Sequence, residues 1–361
     1  MRSETVVRRP RRSVGSIVAQ RTNVPGAEEV VRPKNDQAAL FPAGLVTTVQ
    51  SRDIDDLTAT TVGWNRECTQ LRAGRFFGKS AVAHTSHMQM GRVSWNTAIQ
   101  ARGQAPRGTR AIAVPIGVNP APSFCGASVG EEEIVTEQEG TEVDLRGAKT
   151  CEFLMVSIGV NVLQRQATAL WGEPFESRVV DGRMNLGSVA ARAGLAHSWS
   201  SVFARVQRDP AVLSNPYVAR MVEQQVLSAL LGIAGTPAGR SLPPRRQVLA
   251  RRAEEFMRGR IDSPITLPDV CDWVGANERS LHMGFLERFG MSPMAYLKVL
   301  RLNRVRRQLR DAAPGTSVTD VAMHAGFLHL GRFAKDYGRF FGERPSATLR
   351  HPTHRCSVST K

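Results

Sequence analysis

Two stretches of this chain, 265–289 and 317–341, carry the same pattern of a short helix, a glycine turn and a second helix. In the first stretch, the hydroxyl of Thr266 can accept hydrogen bonds from the backbone N–H groups that open a helix. Gly275 follows the last apolar residue of that helix, where left-handed backbone is favoured. Asn277 suits the start of a second helix. This spacing predicts a helix-turn-helix unit.

The second stretch repeats the pattern, with Ser317 beginning its first helix and Gly326 ending it. Between the two units, Pro293–Asp311 has apolar residues at helical spacing and five arginines, which predicts a long helix that acts as a rigid spacer. The residues expected to face the core are Leu267, Val270, Val274, Leu281, Phe285, Phe289, Val318, Val321, Ala322, Leu330, Phe333, Tyr337 and Phe341. A pattern found twice predicts paired units in one domain.

These segments resemble the paired helix-turn-helix domain of AraC/XylS-type bacterial transcription regulators. The resemblance lies in FGMSPMAYLKVLRLNRVRRQL (289–309), SVTDVAMHAGF (317–327) and FGERPSATLR (341–350). Val305 stands where the family usually has alanine, and Thr348-Leu349 replaces an aromatic residue. The resemblance covers the C-terminal third of the chain and implies an all-α domain whose two units are joined by a long helix.

The resemblance also implies that the second helix of each unit enters the major groove of double-stranded promoter DNA. Arg279, His282 and Met283 occupy positions that relatives use at base edges, and Arg279 can contact a guanine bidentately, worth about 1–3 kcal/mol of discrimination. Arg332 is the expected base reader of the second unit. The residues expected to contact DNA are Glu278, Arg279, Ser280, His282, Met283, His329, Arg332, Lys335 and Arg339. The alternative is that they are ordinary solvated helix residues.

Leu330 and Gly331 replace polar residues that are common in the family, so the second recognition helix would depend more on phosphates than on bases. The charge distribution agrees with a phosphate-binding surface. The net charge is +16, and residues 241–361 carry 21 Lys and Arg against 11 Asp and Glu. An arginine-rich or ribosome-associated protein would show a basic excess too.

The N-terminal part is predicted to be β-rich and then helical, which gives an α+β chain with an antiparallel barrel or sandwich. Before this kind of DNA-binding domain it resembles the cupin-like sensor of such regulators. The predicted strands are 43–50, 80–93, 109–118, 132–138 and 151–160, and the predicted helices start near 160, 187 and 217. These helices either form a dimer interface or complete the sensor core. The expected domains are a disordered basic arm (1–36), a sensor and dimerisation domain (37–231), a linker (232–244), the DNA-binding domain (245–350) and a disordered tail (351–361).

No metal site, cofactor or catalytic residue is expected. His84 and His87, three apart in a predicted strand, would face opposite sides. Five scattered cysteines favour a reducing compartment, and no apolar run is long enough for a membrane span, so a cytoplasmic protein without membrane contact is expected. Trp64, Trp95 and Trp171 are predicted core residues, one of which could line an effector pocket.

The sequence therefore predicts a transcription regulator that is not an enzyme. Activators dominate the family that it resembles, so activation is the expected output. The expected partners are DNA, a second copy of itself, RNA polymerase and a small-molecule effector. The segment 328–349 resembles the branch of the family that contains the ethanolamine-utilisation regulator, which suggests an amine or catabolic effector. Two alternatives stay open. One is an enzyme built on the cupin-like barrel, and the other is an architectural DNA-binding protein without an effector.

Overall fold

The structure is a computed structural model that describes residues 39–116, 121–147, 150–233 and 245–350. The expected arm 1–36, most of the linker 232–244 and the tail 351–361 lie outside the described residues. The described residues belong to one compact unit. Its described part contains antiparallel sheets followed by helices, so the predicted α+β class is confirmed.

The described residues form twelve strands. They are β1 (Val46–Ser51), β2 (Asn65–Gln70), β3 (Gly78–His84), β4 (Met88–Trp95), β5 (Ile99–Gln104), β6 (Thr109–Ile116), β7 (Ser123–Phe124), β8 (Ala127–Ser128), β9 (Glu133–Gln138), β10 (Val143–Arg146), β11 (Cys151–Gly159) and β12 (Arg183–Asn185). One sheet has the order β1-β3-β4-β11-β6-β9-β12 and the other β2-β5-β10-β7-β8. Neither sheet closes on itself within the described residues, so the prediction of a barrel or sandwich resolves to a sandwich.

Strand β11 lies at the centre of the seven-stranded sheet, paired with β4 and β6. Both of its faces are buried, because Phe153 packs between the sheets and Leu154 packs toward the helices. A strand covered on both faces has a nearly continuous apolar sequence. For this reason the segment 151–160 was predictable as a core strand.

The α-helices of the described residues follow β11, apart from a short one after β1, and β12 lies between the first two helices that follow β11. They are α1 (Ile54–Thr58), α2 (Val160–Trp171), α3 (Val189–Arg208), α4 (Pro216–Leu231), α5 (Arg245–Gly259), α6 (Leu267–Val274), α7 (Glu278–Phe289), α8 (Pro293–Arg310), α9 (Val318–His324), α10 (Leu330–Phe341) and α11 (Pro345–Arg350). Helices α2, α3 and α4 cover the outer face of the seven-stranded sheet. Trp199 of α3, which is 1% exposed, donates to the carbonyl of Val226 in α4 at 3.0 Å.

The C-terminal helices have two cores, one for each predicted unit. The first core joins α5, α6 and α7 to the start of α8, and the second joins the rest of α8 to α9, α10 and α11. Tyr296 and Val305, both fully buried, lie in the first and second core respectively. Helix α8 thus contributes to both cores, which is the arrangement predicted for a rigid spacer.

One strand prediction was wrong, and several strands were not predicted. The segment 80–93 is two strands, β3 and β4, with the turn at Thr85–His87 between them. His84 therefore ends one strand and His87 lies in the turn. The predicted segments also missed β2, β5 and β10, the main strands of the second sheet. Their outer face is polar because it contacts the C-terminal helices through hydrogen bonds and ion pairs. Strand β2 (NRECTQ) therefore lacks apolar alternation, whereas β10 (VDLR) alternates but is only four residues long.

Candidate nucleic-acid interface

The first helix-turn-helix unit is held by its capping residues. Thr266 accepts from the backbone N–H of Asp269, whose carboxylate accepts from the backbone N–H of Thr266 at 2.8 Å. This reciprocal pair is a capping box, and the two hydrogen bonds to Thr266 lower the pKa of Asp269. Gly275 ends α6 at φ 66° and ψ 44°, and Asn277 begins α7 by accepting from the backbone N–H of Ser280 at 2.8 Å.

Helix α7 buries one face and exposes the other. Leu281 and Phe285 are fully buried and Phe289 nearly so, as predicted. Gly284 lies against α5, where an added Cβ would stand 2.4 Å from the carbonyl oxygen of Arg246. The candidate DNA residues of this helix lie opposite that face. Those that are exposed are Glu278, Arg279, His282 and Met283, while Ser280 is half-buried.

The second unit has the same order of helix, turn and helix, but its recognition helix is capped differently. Ser317 begins α9 by accepting from Thr319 and Asp320, whereas α10 starts at Leu330 without a side-chain cap. Tyr337 is fully buried in α10, and its hydroxyl is 2.8 Å from that of Thr348. Burial raises the pKa of Tyr337 to about 12.

The outward face of α10 carries the four candidate residues of the second unit. His329, Arg332, Lys335 and Arg339 are all exposed, and Arg332 has 79% of its side chain accessible. The half-buried Asp336 lies between them, where it accepts from Lys298 of α8 and stands 3.9 Å from Arg332. The structure thus places the predicted residues of both units on exposed helix faces. Their contact with DNA stays a prediction.

The arginines of α8 do not form a free basic surface. Their contacts are Arg306 and Arg310 with Asp53, Arg307 with Glu67, Arg304 with Asp262, and Arg301 with the carbonyls of Ile261 and Ser263. Part of the C-terminal basic excess is therefore neutralised inside the molecule. The exposed cations of α7 and α10 are the better candidates for phosphate and base contacts.

The C-terminal helices contact the outer face of the five-stranded sheet, a surface that we name the docking interface. It comprises β2, β5, β10 and the segment 53–56 on one side and α5, α7 and α8 on the other. Asp144 of β10 pairs with Arg288 of α7, and Arg146 donates to the backbone carbonyl of Arg288. Because these side chains are buried, the interface fixes the orientation of α7 relative to the sandwich.

Glu254 of α5 is the centre of the docking interface and is fully buried. Its carboxylate accepts from Gln100 at 2.7 Å, Tyr296 at 2.8 Å, Arg258 at 3.0 Å and Arg102 at 3.3 Å. Burial alone would raise the pKa of Glu254, but the surrounding guanidinium groups outweigh burial and hold that pKa below its usual value. Burial and the neighbouring Glu254 raise the pKa of Tyr296 well above 10.

The residues of this interface were not identified from sequence. Gln100, Asp144 and Glu254 stand at strand and helix positions that would normally read as solvent-facing. The sign of the interface in the sequence is the number of polar residues in these strands. The structure shows that some of them, such as Gln100, are fully buried. Such residues need partners from elsewhere in the chain, because burying them unpaired costs free energy.

Comparison with known proteins supports the two-unit interpretation. A family model described as a helix-turn-helix domain matches residues 270–351. The probable thc operon regulatory protein of Rhodococcus erythropolis is 31% identical over 208 residues, which are 55% of this chain and 60% of that protein. The XylDLEGF operon transcriptional activator 1 of Pseudomonas putida is 28% identical over 220 residues, 60% of this chain and 67% of that protein.

Among solved structures, a probable AraC family transcriptional regulator from Rhodopseudomonas palustris is 37% identical and covers 29% of this chain and 99% of its own, with a TM-score of 0.28. The match to the Rhodococcus protein spans 60% of that relative's length.

No helix of the described residues has the length and apolar character needed to cross a membrane. Within the same residues, no three His, Cys, Asp or Glu side chains cluster as metal ligands would.

Proposed function

Because this chain belongs to the AraC/XylS family of transcriptional regulators, we propose that it regulates transcription by inserting α7 and α10 into successive major grooves of promoter DNA. The observation that carries the proposal is the pair of recognition helices, each with a buried apolar face and an exposed polar face. Both helices pack on the same α8, which limits their relative movement. In such an arrangement the two major grooves would be about 34 Å apart on one face of the duplex.

The exposed residues have different expected roles in this interface. Arg279 is the proposed bidentate reader of guanine, and His282 can donate to the same base edge. Met283, which is 38% exposed, suits the methyl group of a thymine. In α10, Arg332 is the proposed base reader, and Lys335 is proposed to contact phosphate. The absence of a side-chain cap on α10 leaves its first backbone N–H groups available to a phosphate.

A homodimer is the proposed working form, and α4 is the proposed contact. Tyr217 and Met221 lie four residues apart on one face of this helix and are 77% and 64% exposed. Large apolar side chains exposed together on a helix are typical of an interaction surface. An effector bound by the N-terminal domain and recruitment of RNA polymerase complete the proposal, and activation is the proposed output.

The test is footprinting of the purified chain on the DNA upstream of its own gene, together with Arg279→Ala and Arg332→Ala. We expect protection of two adjacent major grooves on one face of the DNA. Each substitution should weaken protection at its own groove first, because each arginine belongs to a different recognition helix. The matched control is Arg92→Ala, which removes an exposed arginine of β4 that pairs with Glu152 at 2.5 Å.

Binding that is unchanged in both recognition-helix variants, or protection confined to one groove, would contradict the paired readout. Absence of protection at micromolar protein and low salt would contradict direct recognition of this DNA by the unliganded chain. Sedimentation of Tyr217→Glu beside the wild type tests the dimer separately. A dimeric wild type and a monomeric variant are expected, and a wild-type monomer at the concentration that gives protection would contradict the dimer.

A further inference from the structure

The loop between β2 and β3, residues 71–77, leaves the sandwich and contacts both helix-turn-helix units, and we name it the bridging loop. Its first residue, Leu71, is 6% exposed and belongs to the first C-terminal core. Phe76, near its other end, is 5% exposed and packs back into the sandwich. The loop is therefore anchored at both ends. The exposed residues between these anchors are Arg72, Ala73, Gly74 and Arg75.

The bridging loop caps the C-terminal end of α10. The last four carbonyl groups of a helix have no partner within that helix. The backbone N–H of Gly74 donates to the carbonyl of Phe340, in the last turn of α10, at 2.8 Å. Arg75 donates through Nε and Nη2 to the carbonyl of Gly342, which directly follows α10, with both distances 3.2 Å. A cation is also favoured at this negative end of the helix dipole.

The same loop contacts the C-terminal end of α7. Gly290 directly follows α7, and a Cβ added there would stand 2.7 Å from the Nη2 of Arg72. The guanidinium of Arg72 thus lies against the last turn of α7, again at the negative end of a helix dipole. Arg72 and Arg75 are three residues apart, so their Cα atoms are separated by at most about 11 Å. One short segment of the sandwich therefore contacts the ends of both recognition helices.

Side-chain amides hold the bridging loop in this conformation. The side chain of Gln70 donates to the carbonyls of Arg72 and Gly74, at 2.7 and 2.8 Å. The side chain of Asn96 donates to the carbonyl of Arg75 at 3.1 Å. These hydrogen bonds fix the backbone on which the helix-contacting groups stand, so the loop is organised before any DNA binds.

The two helix-turn-helix units have separate cores, which are joined through α8 and through Met291 beside it. A connection through one helix leaves freedom to bend. A second connection, between the ends of α7 and α10, restricts that freedom.

We propose that the bridging loop fixes the spacing and angle of the two recognition helices. Arg72, Gly74 and Arg75 then determine which separation of the two DNA elements the protein accepts, although they belong to the sandwich. This inference rests on the proposed function, because it names the residues that set the register of the paired readout.

The experiment compares two duplexes in anisotropy titrations of the full chain. One is the upstream duplex protected in the footprint, and the other has one base pair inserted between its two protected grooves. The insertion turns the second groove by about 35° and moves it by about 3.4 Å. A rigid pair of helices cannot follow this change, so wild type should bind the inserted duplex at least about tenfold more weakly.

Two variants loosen the bridging loop by different means. Arg75→Ala removes the hydrogen bonds to Gly342. Gly74→Ala changes no charge, but it strains the loop because φ is +138°, while the added Cβ meets nothing within 4 Å. In both variants the ratio of the two affinities should fall to about threefold or less, because loosely joined units adapt to the longer site. Arg75→Lys, which can still donate to the Gly342 carbonyl, should restore most of the wild-type ratio.

Each variant has a matched control in the sandwich. Arg107→Ala removes an exposed arginine from the turn between β5 and β6. Gly140→Ala places a methyl group at φ +75°, where it also meets nothing within 4 Å. Both controls should keep the wild-type ratio. A ratio unchanged in Arg75→Ala and Gly74→Ala, or relaxed equally in the controls, would overturn the inference.

A direct contact between Arg75 and DNA would give a different result. Arg75→Ala would then weaken binding to both duplexes and to a scrambled duplex alike and would lower the salt dependence, with the ratio unchanged. That result would overturn the bridging role.

Hydrogen exchange tests the loop without DNA and separates the two proposals. The amides of Gly74 and of the last turn of α10 should exchange faster in Arg75→Ala than in wild type. Unchanged exchange would overturn the bridge. A wild-type footprint confined to one groove, or absent, contradicts the proposed function, whereas a paired footprint with unchanged ratios overturns only this inference.

Discussion

The side-chain amide of Asn303 in α8 forms two hydrogen bonds with the backbone of Gln70, the last residue of β2. Its Oδ1 accepts from the Gln70 N–H at 3.0 Å and its Nδ2 donates to the Gln70 carbonyl at 2.9 Å. The asparagine thus replaces a neighbouring strand at the edge of the five-stranded sheet. Both residues are buried, at 5% and 3% exposure, so this end of the edge is closed to water and the spacer helix is fixed to the sandwich.

Asn303→Ala is expected to reduce the free energy of unfolding by about 2–4 kcal/mol, because it leaves two buried backbone groups without partners. Urea unfolding measures the loss. Hydrogen exchange at the Gln70 amide should become faster in the variant, because its N–H donates to Asn303 in the wild type. Gln308→Ala, at an exposed position of the same helix, is the control and should change neither quantity. A variant as stable as wild type with a protected Gln70 amide would contradict this role.

The segment around α1 makes the stability of the docking interface depend on pH. Burial, and then the carboxylate of Asp53, raise the pKa of Asp55 to about 6, although Arg307 and Arg310 act in the opposite direction. The folded state therefore binds more protons than the unfolded state between about pH 4 and pH 6. The contribution of Asp55 to stability is lost as the pH rises through this range.

Asp55→Asn should remove that dependence. The difference in free energy of unfolding between variant and wild type should move in favour of the variant as the pH rises from 4.5 to 7.5. Urea unfolding of both proteins at each pH gives this difference, in which the other titrating groups cancel. Asp272→Asn, at an exposed position of α6, is the matched control. A constant difference for Asp55→Asn would show that its folded pKa is not raised.

A comparison of Arg279→Ala with Lys335→Ala should separate reading of bases from attraction to phosphates. Arg279→Ala is expected to cost about 1–3 kcal/mol at the preferred site and to relax the preference at one base pair. Lys335→Ala should weaken binding to all sequences alike and lower the dependence of log affinity on log salt by about 1. Fluorescence anisotropy with specific and scrambled duplexes at several salt concentrations measures both effects. The assignment of roles fails if the two variants exchange these signatures.

The helix-turn-helix units were predictable because their determinants are local. Thr266, Asn277 and Ser317 each cap a helix with an oxygen two or three residues from the N–H that it satisfies, and the buried stripes repeat at helical spacing. These features lie within a few residues of one another in the sequence. Tertiary contacts are not needed to read them.

The docking interface could not be predicted for the opposite reason. Arg306 and Asp53 are 253 positions apart, and a sequence does not show whether an arginine will meet a carboxylate or a phosphate. Strand β2 was missed because its outward Glu67 pairs with Arg307, so the strand has polar residues where a packed sheet would have apolar ones. Strand β2 (NRECTQ) thus lacks the alternation on which strand prediction depends, while β10 (VDLR) keeps it but is only four residues long.

Two glycines of the recognition units, Gly275 and Gly331, should respond oppositely to alanine. At Gly275 an added Cβ meets nothing within 4 Å, but φ is +66°, so Gly275→Ala should cost about 1–2 kcal/mol through left-handed backbone alone. An added Cβ at Gly331 also meets nothing within 4 Å, but Gly331 lies within α10 and does not have a positive φ. Gly331→Ala should therefore stabilise the fold by about 0.5–1 kcal/mol.

The stabilised Gly331→Ala variant tests how closely DNA approaches the start of α10. If the sugar-phosphate backbone lies against Gly331, the added methyl group should weaken DNA binding while the free energy of unfolding increases. Urea unfolding and anisotropy titration of one preparation give both numbers, and Ala334→Gly, an exposed position one turn further along α10, is the reciprocal control for helix propensity. Greater stability with undiminished DNA affinity would show that the backbone of α10 stands away from the duplex there, leaving Arg332 and Lys335 to span the distance with their side chains.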